Sequence, residues 1–203
     1  MNLFDVLGRQ LDAIVSGETV SEQVLAAGLE RYALCAKDLR IKYFESGVPD
    51  WRHTDQWAMF LYCLSTVADE PLRTDLYRLN KSLHALDIFP DVVLPTSFLL
   101  SHPVGTVVGR AHFEGPVALH QSCTIGGSVS MEYPSLGAGV VLFAGSMVLG
   151  PTTIGNNVFV APGTIVVSAQ VPSDCIVFGR SPNLVFRETN RSVIDEVFLG
   201  LVP

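Results

Sequence analysis

The chain has 203 residues and a net charge of −7, and 48% of it is apolar against 16% charged. It contains no Lys/Arg-rich run, which argues against a nucleic-acid partner, because phosphate binding needs clustered cations. No apolar stretch has the length of a transmembrane helix, and the Met1-Asn2-Leu3-Phe4-Asp5 start does not read as a signal peptide, so a cytoplasmic protein with no membrane partner is expected. Cys35, Cys63, Cys123 and Cys175 show no CxxC spacing and read as free thiols, two of them in the core, with no metal site.

Residues 1–86 carry a helical pattern. Leu3, Val6, Leu7, Leu11 and Ile14 recur at three and four, as one face of a helix does, and Gly17 ends the segment. A second helix is expected from Ser21 as N-cap to Ser46, with Leu25, Leu29, Tyr32, Leu39 and Tyr43 on its inner face. Gly47, Pro49 and Asp50 break the pattern, and Thr54 caps a third helix carrying Trp57, Phe60, Leu61 and Leu64. A fourth follows Pro71 with Leu72, Leu76, Leu79 and Leu83. At this spacing Trp57, Phe60 and Tyr62 are packing residues rather than a ligand pocket. His53 and His84 read as surface or capping residues.

Beyond Pro90 and Pro95 the period changes to six. Leu136, Leu142, Val148, Ile154, Val160 and Val166 fall six apart, and four positions after each of the first five stand Val140, Ser146, Thr152, Val158 and Thr164. Small and αL-tolerant residues crowd the positions between. This is a repeat of one short strand and one tight turn, and each unit leaves an apolar edge that only the next unit covers. The helical region is expected to cover one end of the resulting solenoid. Leu94 and Leu100 begin the period; it slips at Pro103-Val104-Gly105, resumes by Leu119 and Ile125, and breaks again from Gly126 to Ser135. Such departures are loops projecting from the solenoid, so His102 and residues 126–135 are the first site candidates. His112 and His120 do not stand at the spacing of a three-His zinc site with His102. After Val166 the repeat ends, and the tail from Ser192 to Pro203 is expected as a short helix or strand packed on a neighbour.

Several runs carry a family resemblance: Asp87-Ile88-x-Pro90, His102-x-x-Gly105-x-Val107-Val108-Gly109, Gln121-Ser122-x-Thr124-x-Gly126-Gly127, Val171-Pro172 and Gly179-x-x-Pro182. Together they resemble the hexapeptide-repeat acyltransferases, and among these the serine acetyltransferases. The fold this implies is α+β: an N-terminal α-helical domain (1–86), a left-handed parallel β-helix of hexapeptide repeats (87–187) and a C-terminal tail (188–203). The resemblance implies an acetyl-CoA-dependent acetyltransferase in which His102 is the general base and Asp87 orients it. That pairing is chemically sound, because imidazole takes a proton near neutral pH and a carboxylate on its other nitrogen fixes the tautomer. Acetyl-CoA as co-substrate is expected along Ala144, Gly145, Ala161 and Gly163, with Gly126 and Gly127 near the developing oxyanion and Arg180 and Arg187 as phosphate contacts. No metal is implied. A homotrimer is implied, with a dimer of trimers as its extension, because this groove lies between subunits.

Three positions depart from the family. Glu132-Tyr133 stands where the serine enzymes carry Arg-His, and Ser101 where they carry Asp. If Glu132 faces the acceptor carboxylate in a buried contact, its charge repels serine, so a sugar or other small metabolite is the expected acceptor, bound by Ser101, Glu132 and Tyr133, with O- or N-acetylation open. The alternatives are a genuine serine O-acetyltransferase of cysteine biosynthesis and a non-catalytic scaffold. The Leu201-Val202-Pro203 end lacks the Ile tail by which the serine enzymes dock, so no cysteine synthase complex is expected.

Overall fold

A computed structural model describes residues 2–15 and 19–198. Four helices precede the solenoid: α1 (Leu3–Ile14), α2 (Glu22–Ala36), α3 (Thr54–Val67) and α4 (Leu72–His84). Asn2 and Ser21 cap α1 and α2 by accepting from Asp5 N and Val24 N. Gly17, expected to stop α1, lies outside the described residues.

The second helix stops ten residues before Ser46, at Ala36. Tertiary pairing draws the chain away there: Leu39 bridges Phe198, Arg40 N donates to Val197 O, and the Asp38 carboxylate accepts from Ser97. Tyr43 therefore sits in a single 3-10 turn, Lys42–Phe44, rather than on a helix face. The N-cap of α3 is His53, one residue earlier than the expected Thr54, and its side chain makes no capping bond. Trp57, Phe60 and Tyr62 are buried packing residues. Two expectations on α4 are corrected: His84 is buried with its Nδ1 2.7 Å from Asn80 Oδ1, and Leu83 is exposed.

The hexads wind into a parallel β-solenoid of about five turns. One face stacks β2 (Phe98–Leu100), β5 (Val117–Leu119), β8 (Val140–Leu142), β11 (Val158–Val160) and the start of β14 (Cys175–Arg180). The second stacks β1 (Asp87–Ile88), β3 (Val107–Val108), β6 (Thr124–Gly126), β9 (Met147–Leu149) and β12 (Ile165–Val167). The third stacks β4 (His112–Phe113), β7 (Ser135–Leu136), β10 (Thr153–Ile154) and β13 (Gln170–Val171). All six hexad aliphatics from Leu136 to Val166 are buried, and Leu119, Leu142 and Val160 stack in register, as do Ile125, Val148 and Val166.

The small positions have their own reason. Thr106, Ser146 and Thr164 are buried where the first face turns into the second. Thr106 Oγ1 donates to His120 O at 2.8 Å and Thr164 Oγ1 to Val177 O at 3.4 Å. A larger apolar residue would leave such carbonyls unsatisfied at the bend. Cys123 occupies the same column between Thr106 and Ser146, and all four cysteines are free and buried.

Helix α3 packs on β2 and α4 on β1, closing the open edge of the first coil. Cys35 Sγ donates to Phe98 O at 2.9 Å and Tyr62 Oη to Val92 O at 2.7 Å. One continuous apolar cluster runs from the helices through the coils. At the far end β14 pairs with β15 (Asn183–Glu188), and the tail returns along the coils as α5 (Val193–Val197), so the neighbour it packs on includes this chain's own helical region. The Leu201-Val202-Pro203 end lies outside the described residues. Among the described residues no helix is long and apolar enough to cross a membrane.

Leu142 is fully buried between Leu119 and Val160, whereas Val185 on β15 is exposed. Leu142→Ala is expected to lower the unfolding free energy by about 2–5 kcal/mol and Val185→Ala by less than about 0.5 kcal/mol, measured by urea denaturation.

Candidate active site

The slip at Pro103 has a simple geometry. Leu100 and Val108 occupy the positions of Leu119 and Ile125 one coil later, yet they stand eight residues apart where the later pair stands six. The two extra residues bulge from the corner between β2 and β3, and His102 is in that bulge. Its φ is +49°, a left-handed conformation that costs a non-glycine residue energy and collects at functional positions. The corner is held by Val104 N to His102 O at 2.7 Å and Gly105 N to Ala85 O at 3.0 Å. The His102 side chain is 76% exposed.

Asp87 does not pair with His102. Its Oδ2 is 2.6 Å from Lys81 Nζ and its Oδ1 accepts from Tyr77 Oη at 2.7 Å. Burial pushes the Asp87 pKa up, but the hydrogen bonds from Lys81 and Tyr77 and the lysine charge outweigh that and hold it below the ordinary carboxylate value. Both donors come from α4, one turn apart, so both oxygens are already engaged.

The carboxylate that does face His102 is Asp55, in the first turn of α3. Its Oδ2 lies 3.8 Å from His102 Nδ1. Asp55 is 2% exposed, and this Oδ2 has no hydrogen-bond partner. Around it stand three more groups. Burial and then the nearby Asp55 charge raise the Tyr43 pKa. His84 is pushed down to about 4 by burial, against the opposing pull of its Asn80 bond and of Asp55. His120, in the next coil and packed on Phe143 with ring centroids 5.0 Å apart, is lowered by burial and then by His102, with Asp55 opposing. Sequence reasoning missed Asp55, which looked like an ordinary acidic residue in a helix's first turn. The available signal was its helix: α3 is buried at every position from Asp55 to Ser65, and a carboxylate on such a helix needs a reason. His112 lies apart, exposed on the third face.

His102 stands at the head of a lane. Ser122 N donates to Val104 O, Gly145 N to Gln121 O and Gly163 N to Ala144 O, each at 2.9 Å, so the same corner repeats coil after coil. Three coil steps of about 4.8 Å make the lane about 14 Å long. Gly145 and Gly163 take φ of +70° and +68°, and a Cβ at either would meet nothing within 4 Å. Glycine is there for the turn, and the space outside it is open. Ala144 and Ala161 belong to this lane. Arg180 is at its far end, opposite Ile165, and Arg187 lies over the Phe178 ring at 5.4 Å.

The remaining expected residues are at a different corner. Gly126, Gly127, Glu132 and Tyr133 lie where the second face turns into the third, across a face from Ser101 and His102. Tyr133 fills the space beside Gly127, where a Cβ would come within 2.7 Å of its ring. Arg110 lies 6.0 Å over the same ring. Within one chain Glu132 is exposed and accepts from Ser130 Oγ at 2.7 Å. Ser101 is buried, its N donating to Leu119 O at 2.8 Å. Among the described residues no three His, Cys, Asp or Glu side chains are grouped to hold a metal ion.

No model of a known protein family matches the chain. It is 34% identical over 116 residues to the serine acetyltransferase of Synechococcus elongatus, which covers 55% of this chain and 47% of that protein. It thus spans about half the length of the curated relatives it matches. Among solved structures, the Neisseria gonorrhoeae serine acetyltransferase superposes with a TM-score of 0.67 at 21% identity, over 94% of this chain and 82% of that one. A serine acetyltransferase solved in complex with CoA gives 0.58 at 18% identity, over 81% and 68%. The left-handed hexapeptide β-helix behind a helical N-terminus is the fold they share.

The His84 pKa of about 4 in the folded chain lies below its ordinary 6.5, so the unfolded chain binds more protons between these values. Stability from this residue is complete above about pH 6.5 and is lost as pH falls toward 4; His120 acts in the same direction. The urea midpoint is expected to fall from pH 6.5 to 5, above the range of most carboxylates, and to fall less steeply in His84→Gln. A midpoint that rises over that interval would contradict this assignment.

Proposed function

We propose that this chain is an acetyl-CoA-dependent O-acetyltransferase of the serine acetyltransferase type, with His102 as general base and the hydroxyl of L-serine as acceptor. The observation that carries the reading is His102 itself, held in a left-handed, solvent-facing bulge at the head of the lane through Gly145 and Gly163. The relatives and the CoA-bound neighbour support the chemistry and the co-substrate. They also favour serine over the sugar expected from Glu132 and Tyr133.

In this reading the His102 imidazole takes the serine hydroxyl proton as the oxygen attacks the thioester carbonyl. The tetrahedral intermediate collapses, the C–S bond breaks, and the imidazolium returns its proton to the departing CoA sulfur. No enzyme nucleophile is needed. Ala144, Gly145, Ala161 and Gly163 would border the CoA chain, with Arg180 and Arg187 toward its phosphates. Gly126 and Gly127 stand at another corner, so a homotrimer belongs to the same proposal: it sets one subunit's second corner against its neighbour's first.

Thiol release from acetyl-CoA, followed with L-serine and with amino sugars, tests the reading. Turnover with serine is expected, reduced on the order of 10²–10⁴-fold in His102→Ala. Turnover with an amino sugar but not serine would refute the acceptor. Absence of both turnover and acetyl-CoA binding would refute the enzyme and leave the scaffold.

A further inference from the structure

We propose that Asp55 is the positioning residue for His102, and that Asp87 is a structural residue tied to α4. The proposal deepens the reading of His102 as the base and rests on it for its catalytic meaning.

Three observations carry it. First, Asp55 Oδ2 is buried and unpartnered, a costly arrangement unless a donor completes it. Second, among the described residues His102 is the one imidazole within 4.0 Å of that carboxylate, at 3.8 Å from Nδ1. His84 presents its Nδ1 to Asn80 instead. The gap to a hydrogen bond is less than 1 Å, and catalytic hydrogen bonds are commonly long before substrate binds. Third, the Asp87 carboxylate turns toward α4, each of its oxygens taking one hydrogen bond from that helix, Oδ1 from Tyr77 and Oδ2 from Lys81.

The chemistry follows from the placement. A proton on Nδ1 directed at Asp55 leaves Nε2 unprotonated as the base, and the carboxylate then stabilises the imidazolium formed when Nε2 takes the acceptor's proton. The groups facing Asp55 leave its charge available for this. Tyr43 is held neutral, and His84 and His120 are both biased to the neutral form. His102 in turn lowers the pKa of His120, which disfavours a positive charge on His120.

The decisive test is nitrogen-15 NMR of the histidines in the full chain, in the wild type, Asp55→Asn and Asp87→Asn. It needs neither acetyl-CoA nor an acceptor, so it judges the pair independently of the proposed reaction. The expected result is a neutral His102 protonated on Nδ1 in the wild type and in Asp87→Asn. In Asp55→Asn that tautomer is lost and the apparent pKa of His102 is lower. Turnover should then fall on the order of 10²–10⁴-fold in Asp55→Asn with KM little changed. Asp87→Asn should lower thermal stability while leaving the His102 tautomer intact. A His102 titration and tautomer unchanged in Asp55→Asn, or altered in Asp87→Asn alone, would overturn the proposal. Should Asp55→Asn fail to fold, the wild-type spectrum decides: a neutral His102 protonated on Nε2 overturns it. If the spectra show the pair but no acceptor is turned over, the acetyl-transfer reading fails and the pairing stands.

Discussion

A solenoid coil has one way to satisfy itself. Its aliphatic side chains point inward, its backbone edges meet the coils above and below, and whatever does not fit must go to a corner. The first coil has no coil before it, so its edge must be covered by something else. Here that cover is helical: α3 lies on β2 and α4 on β1. The same contact places the first turn of α3 beside the first irregular corner, and so a buried carboxylate beside an exposed imidazole. The stability problem and the candidate site have one solution.

The two carboxylates show how environment divides roles between identical groups. Asp87 sits on a strand within reach of Lys81 and Tyr77, and their hydrogen bonds, one to each oxygen, favour its ionised form. Asp55 is more deeply buried and has one oxygen with no donor. A paired carboxylate strengthens the junction between α4 and β1. The helix N-terminus favours a carboxylate at Asp55, but an oxygen with no donor still carries a desolvation cost, which points to a partner that arrives or tightens during turnover.

The solenoid was legible because its period is local: each hexad position reports its own burial, and Leu136 to Val166 need no distant residue to be read. His102 was legible for the complementary reason, since a slip in a strict period marks a bulge. Elements decided by distant contacts were not. Helix α2 ends at Ala36 because residues 39 and 40 pair with the C-terminal tail. His84 is buried because α4 lies against α3. Asp55 meets His102 across a separation of 47 positions in sequence, through a helix-on-solenoid contact that no spacing encodes. The Asp87–His102 pairing came from resemblance, and the hydrogen bonds that Asp87 takes from Lys81 and Tyr77 could not be read from spacing.

The corners also explain why one chain carries the expected groups without assembling them. His102, Gly145 and Gly163 run down the corner between the first two faces, while Gly127, Glu132 and Tyr133 stand at the next one, with a β-sheet face between. Side chains on a convex prism cannot converge across a face, because neighbouring corners point apart. A pocket built from both corners therefore requires a second surface to close it. Among the described residues the helical region borders His102, and the group it presents there is Asp55. The acid–base pair can thus be complete in a single subunit even where the rest of the pocket is shared between two.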